Sequence, residues 1–395
     1  MSERNLDFDT VIQREGTKCL KYDFKKQRGL PEDVLPLWVA DMDFRTSSYI
    51  EDAIISQAQH GIYGYTEVDD EYRAAVGRWV LDHYGWNVRP EWFNKSPGVV
   101  FAIACAVRAF TQEGDAVIVN QPVYYPFSEV IRDNGRVVVS SDLKNDGEGY
   151  YSIDFDDLEK KIEEENVKMY LLCSPHNPVG RVWDPEELRR IGEICRRHGV
   201  IVFSDEIHAD FTWGKKFTTF ALAGEDFGDF SITAYAPSKT FNIAGLQISN
   251  IYIPDRGLRR RFRHEYNASG FSQLCAPGIA AGLAACEKGG EWLDAVRAYI
   301  DANLDFAVSF VSERLPGVKL RKPEGTYLLW LDFRDLGLSA EELEDLIIHR
   351  AKLWLDSGSI FGAAGEGFQR INAACPRSTL EEALERIEQA LQSAE

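Results

Sequence analysis

Val200-Ile201-Val202-Phe203-Ser204-Asp205-Glu206-Ile207-His208 is the stretch that decides the fold. Four branched or aromatic apolar residues in a row predict a strand buried on both faces, as in parallel sheets covered by helices. A carboxylate then follows at the strand's carboxyl end. Two other segments repeat this arrangement. Ser174-Pro175-His176-Asn177-Pro178-Val179-Gly180 follows the apolar run Met169–Cys173, and Ala236-Pro237-Ser238-Lys239-Thr240-Phe241-Asn242 follows Ser231–Tyr235. Ligands of open parallel sheets bind beyond the carboxyl ends of the strands, so Asn177, Asp205 and Lys239 are expected to converge on one crevice.

Working outward, further strands are expected at Ala116–Val119, 137–139 and 248–253, alternating with helices at 101–110, 154–165 and Pro185–His198. That alternation marks an α/β fold with a mainly parallel sheet. Asp184, Pro185 and Gly199 supply the start and stop signals of one of these helices. Beyond residue 290 the character changes to a long helix (292–315), a strand pair (318–320 with 327–332), a helix at 340–352 and a last helix from Thr379. The expected division is a large α/β domain over 47–290 and a smaller α+β domain built from 1–46 and 291–395.

The 395 residues are 45% hydrophobic and 27% charged, and 44 Lys+Arg against 63 Asp+Glu leave a net charge of -19. Such a surface repels nucleic-acid phosphates and anionic membranes, so neither is an expected partner. The seven cysteines are dispersed without a Cys-x-x-Cys pair, and the amino terminus lacks an apolar export core. Reduced thiols in the cytoplasm are therefore expected. No metal-ligand set stands out.

Asp205 follows a buried strand, a costly place for a carboxylate without a partner. A protonated ring nitrogen would be such a partner; a helix cap is the plainer role. Lys239 can act as nucleophile or base only if burial or a neighbouring cation lowers its pKa. Asn177, held between Pro175 and Pro178, offers a fixed amide. An amine able to form an imine, an acceptor for a pyridinium and an amide donor together suit pyridoxal 5'-phosphate. His208 would share a face with Asp205 on a helical turn, and could equally be structural. Ser96-Pro97-Gly98-Val99-Val100 precedes a helix and offers backbone donors at Val99 and Val100 to a phosphate. Tyr124, after the strand Ala116–Val119, could stack on a planar ring or pack in the core. Arg370 could grip a carboxylate with both its forks or form a structural ion pair. The glycine-rich run 362–367 lacks the strand–turn–helix context of a dinucleotide site.

These motifs, with Leu37-Trp38-Val39-Ala40-Asp41-Met42-Asp43-Phe44 and Tyr63-Gly64-Tyr65-Thr66, resemble a fold-type I pyridoxal-phosphate enzyme of the class I/II aminotransferase superfamily. Within it, the chain is similar to the cystathionine β-lyase/cystalysin-like C–S lyases. The resemblance implies that Lys239 carries the cofactor and Asp205 its ring nitrogen. Asn177 and His208 would serve the phenolate side, Tyr124 the ring face, and Ser238 would count among the cofactor-binding residues. Arg370, helped by backbone near Ala40, would bind the α-carboxylate of an amino-acid substrate. Tyr65 would reach the phosphate of a neighbouring subunit, implying a homodimer. The implied activity is β-elimination from L-cystathionine or a related L-cysteine S-conjugate, with an aminotransferase as the alternative and a partner-binding regulator as a third reading. Relatives often carry a hydroxyl at the position of Ala236 and an arginine at that of Gln247; both departures remove phosphate contacts.

Overall fold

In the computed structural model, which describes residues 2–393, seven strands form the central sheet. Their spatial order is Phe93–Ser96, Ser249–Tyr252, Ser231–Tyr235, Ile201–Asp205, Met169–Cys173, Ala116–Val119 and Val137–Ser140. Ser249–Tyr252 runs antiparallel to both neighbours, and the pairings among the last five strands are all parallel. Alternate residues serve two separate cores. Ile118, Tyr170, Leu172 and Val202 pack on one face with helices Phe155–Glu164 and Pro185–His198. Val117, Val119, Leu171, Phe203 and Ile232 pack on the other with helix Val99–Phe110. Both faces are dry, which is why the strands read as unbroken apolar runs. Each fully buried Val, Leu or Ile contributes about 1.5–3 kcal/mol.

Helix Pro185–His198 begins and ends as its sequence indicates. The backbone N–H of Asp184 donates to Glu187 Oε2 at 2.8 Å, and Gly199 follows in the left-handed region at φ 66°. Strand Phe93–Ser96 was not expected; its Asn94 and Lys95 break the apolar pattern, and it pairs on one side only, at the sheet edge. The helix expected from residue 101 begins two residues earlier, at Val99.

Leu37, Met42 and Phe44 share a third core with Trp292, Ile300, Leu329, Leu346, Leu380 and Leu384, so both ends of the chain pack together. Leu35–Pro36 pairs in parallel with Leu353–Trp354. The expected strand pair needs correction. Leu328–Asp332 pairs instead with Phe368–Asn372, and 318–320 contributes a single bridge, Lys319 to Asp332. Proximity in sequence suggested the wrong partner; buried Phe368 and Ile371 make the stronger match. The helix expected over 340–352 is shorter, an α-helix Ala340–Asp345 continued by one wider turn, Leu346–Arg350.

Candidate active site

Residues 38–44 form an irregular strap across the carboxyl ends of the sheet. Buried backbone without a ladder needs side-chain partners; Arg14 reaches Met42 O and Arg370 reaches Trp38 O, and three further residues supply more. Asn242 accepts from Met42 N and donates to the carbonyls of Met42 and Phe44, each at 2.9 Å. Asn372 donates to Val39 O at 2.7 Å and to Asp41 O at 2.5 Å. Tyr327 OH donates to Ala40 O at 3.0 Å. Asn242 itself sits at φ 55°, a left-handed conformation that asparagine tolerates. So held, Ala40 O accepts a 2.7 Å hydrogen bond from Lys239 Nζ. Ala40 was expected at the site. Asn242, Asn372 and Tyr327 were not, because their role depends on contacts with residues roughly 200 to 330 positions away.

Lys239 sits on the short helical turn Pro237–Thr240, just past its strand. Desolvation lowers its pKa to about 8, with the Arg370 cation adding to the effect and the Asp41 and Asp205 charges opposing it. That brings the neutral amine, the form a base requires, closer to physiological pH than in an ordinary lysine. Asp205 ends the neighbouring strand and is 5% exposed. Burial raises its carboxyl to about 7 despite a 3.2 Å bond from Ile207 N and the charge of Lys239. Among the described residues, no cation touches it. Burial, with the charges of Lys239 and Arg370, holds His208 well below the usual histidine range, hence neutral.

Asn177 and Arg370 meet: Arg370 Nη1 donates to Asn177 Oδ1 at 3.0 Å. That leaves the Asn177 amide N–H pair as the end able to donate to a ligand. The peptide bond between Asn177 and Pro178 is cis. Arg370 Nη2 donates to Trp38 O at 2.8 Å and is paired with Asp356, both side chains buried. Tyr124 N donates to Asn177 O at 3.0 Å, fastening the two loops together. The Tyr124 phenol is pushed up by burial and feels the charges of Arg370 and Asp205.

Helix Val99–Phe110 starts at Gly98 with no side-chain cap. The first N–H groups of a helix have no intrahelical acceptor, so those of Val99 and Val100 are free for an anion. Ser238 is partly buried beside Lys239, whereas Ala236 offers no hydroxyl and Gln247 is exposed. Tyr65 stands apart from these residues, 96% exposed on an irregular loop. The structure thus brings Ala40, Asn177, Asp205, His208, Lys239 and Arg370 into one electrostatic neighbourhood, and leaves Tyr65 outside it.

Pyridoxal phosphate fits this donor set. His208 Nδ1 and Arg370 Nε are buried with no hydrogen-bond partner among the described residues. Asp205 lacks a counter-charge, and a helix start lacks a cap. A ring cation, a phenolate, a carboxylate and a phosphate would satisfy these groups.

A mostly parallel sheet with an amine, a carboxylate and an amide at adjacent strand ends defines the class, and sequence comparison supplies the family. Residues 32–387 match the family model for aminotransferase class I and II, and the chain belongs to that family. It is 46% identical over 387 residues to cystathionine beta-lyase PatB of Bacillus subtilis, covering 98% of this chain and all of that one. Protein MalY of Escherichia coli is 33% identical, with 95% and 96% covered. Cystalysin of Treponema denticola, whose crystal structure contains pyridoxal 5'-phosphate, superposes with a TM-score of 0.95 at 39% identity, covering 98% of this chain and 99% of that one.

Proposed function

We propose that the protein is a pyridoxal-phosphate-dependent C–S lyase, splitting L-cystathionine or related L-cysteine S-conjugates into a thiol, pyruvate and ammonia. The observation that carries this reading is Asp205, a buried carboxylate without a cation, facing an amine whose pKa burial has lowered to about 8. Bound there, the cofactor supplies an aldehyde for amine exchange and an electron-withdrawing ring that stabilises charge at the substrate Cα.

The chain's own residues do the rest. Lys239 would hold the aldehyde through its amine and, once freed, would take the Cα proton as general base. Asp205 holds the ring nitrogen protonated. Asn177 donates to the phenolic oxygen, His208 lies near that side, and Tyr124 covers the ring. Val99 and Val100 N–H groups and Ser238 hold the phosphate. Arg370 receives the α-carboxylate beside Ala40 and turns the Cα proton toward Lys239. The thiol leaves from Cβ, and water converts the remaining fragment to pyruvate and ammonia.

In this reading the protein is a cytoplasmic homodimer. The exposure of Ile62 (70%), Tyr63 (66%) and Tyr65 (96%) on one loop supports a second copy there, with Tyr65 reaching its phosphate. The division into residues 47–290 and residues 1–46 plus 291–395 is part of the same proposal, supported by the core that the two chain ends share. Among the described residues no helix is long and apolar enough to cross a membrane.

The family's own description keeps aminotransfer as the alternative. Product analysis separates the two. Pyruvate and thiol released from cystathionine without a keto-acid acceptor are the expected result; amine transfer that depends on such an acceptor would replace the lyase reading.

A further inference from the structure

The turn Pro237–Thr240 that carries Lys239 is four residues long, too short to hold its own orientation. No side chain caps its start at Ala236. Strand pairing ends before the turn, with Asp205 opposite Ala234 on one side and Asn250 opposite Tyr235 on the other. Beyond it, a different contact takes over. Thr240 Oγ1 donates to Asp210 Oδ2 at 2.6 Å, with both residues buried. The other Asp210 oxygen accepts from Tyr84 OH at 2.7 Å, at the last residue of helix Asp70–Tyr84. Tyr84 stacks on Tyr235, ring centroids 4.9 Å apart, where the lysine's strand ends. His83 Nδ1 lies 3.8 Å from the same Asp210 oxygen.

Asp210 lies five residues after Asp205 in the segment that also carries His208, and Thr240 directly follows Lys239. One carboxylate therefore ties the segment bearing the ring-nitrogen acceptor to the segment bearing the amine, and both to a helix. Hydrogen bonds to an ionised acceptor are the stronger kind.

We infer that Asp210 is a positioning residue: through Thr240 it sets the reach of Lys239 relative to Asp205, and so how squarely one ring is held between them. This rests on the proposed lyase reading. Asp210 touches neither substrate nor cofactor in that reading, so its loss acts on the reacting geometry and not on substrate affinity. A displacement of about 1 Å at such a position can cost on the order of a hundredfold in rate.

The test compares holoenzyme variants Thr240→Val, Thr240→Ser and Asp210→Asn with the parent protein. Three quantities are read: kcat, KM, and the pH midpoint of the bound cofactor's visible absorbance, which reports on its link to Lys239. Thr240→Val is expected to lower kcat roughly tenfold or more, to leave KM within about twofold, and to move the midpoint. Thr240→Ser, which keeps the hydroxyl, restores kcat and midpoint, and Asp210→Asn follows Thr240→Val. Parental kcat and midpoint in Thr240→Val would overturn the inference. So would equal losses in Val and Ser, or a lowered melting temperature with an unmoved midpoint. If Asp210→Asn does not fold, the Val and Ser pair decides alone. A parent protein that takes up no cofactor or releases no pyruvate would instead remove the lyase reading.

Discussion

Two sets of charged side chains flank the strap at 38–44, and the fold treats them in opposite ways. Near Asp41 and Asp43 every charge has an opposite charge within 3.6 Å, although Asp41 Oδ1 makes no hydrogen bond among the described residues. Lys21, fully buried, lies 2.7 Å from Asp43 and 3.6 Å from Asp41, and Arg14 bridges the same two carboxylates at 2.5 and 2.6 Å. Despite burial, Lys21 and Arg14 hold Asp41 below the usual carboxylate range, and Asp43 and Asp41 raise Lys21 above an ordinary lysine. On the other side of Ala40, burial wins. Asp205 is raised, Lys239 and His208 are lowered, and Arg370 keeps one buried donor unused beside its pairing with Asp356. A chain able to neutralise four charges so closely has left Asp205 and Lys239 with no ion-pair partner in contact among the described residues, and such buried groups mark the place of a ligand.

The sharpest way to break this contrast is to remove one group from each set. Lys239→Ala should abolish elimination, by roughly 10³-fold or more, and the visible absorbance of the holoenzyme, while its denaturation midpoint does not fall. Elimination at the parental rate would end the assignment. Lys21→Met should do the reverse, lowering stability by about 3–5 kcal/mol in chemical denaturation while the folded fraction keeps its visible absorbance. If stability is unchanged, the first set is not the structural one.

A smaller effect sharpens the comparison through pH. Folding raises the Asp205 carboxyl from 3.8 to about 7. Between those values the folded chain holds a proton that the unfolded chain has released, so rising pH lowers the stability of the cofactor-free protein across that window. The full shift would amount to at most about 4 kcal/mol. Asp205→Asn should remove the Asp205 share of this slope and leave that of Glu206, whose carboxyl burial also raises to about 7. Equal pH dependence in the two cofactor-free proteins, measured by denaturation from pH 4 to 8, would contradict it.

Much of this was legible in the chain. The central strands declared themselves because both faces are dry, and Asn177, Asp205 and Lys239 because polar groups at the ends of such strands are conspicuous. Ladder partners were less so. Phe368–Asn372 carries Arg370 and Asn372 yet did not read as a strand, since Gln369, Arg370 and Asn372 interrupt it, although all five residues are buried. The glycine-rich run folds as short turns, and its purpose is visible only in space. A Cβ on Gly365 would lie 2.1 Å from Gly358 O, so two backbones touch there. Asn242, Asn372 and Tyr327 left no local signal, because each acts on a strap remote in sequence.

Asn372 and Arg370 lie within the last 26 of 395 residues, and the strap they fasten lies within the first 44. During synthesis, Lys239 and Asp205 therefore leave the ribosome well before the residues that close the crevice around them exist. A nascent chain can present the amine but cannot yet fasten Ala40 against it, so durable capture of an aldehyde must await synthesis through Asn372.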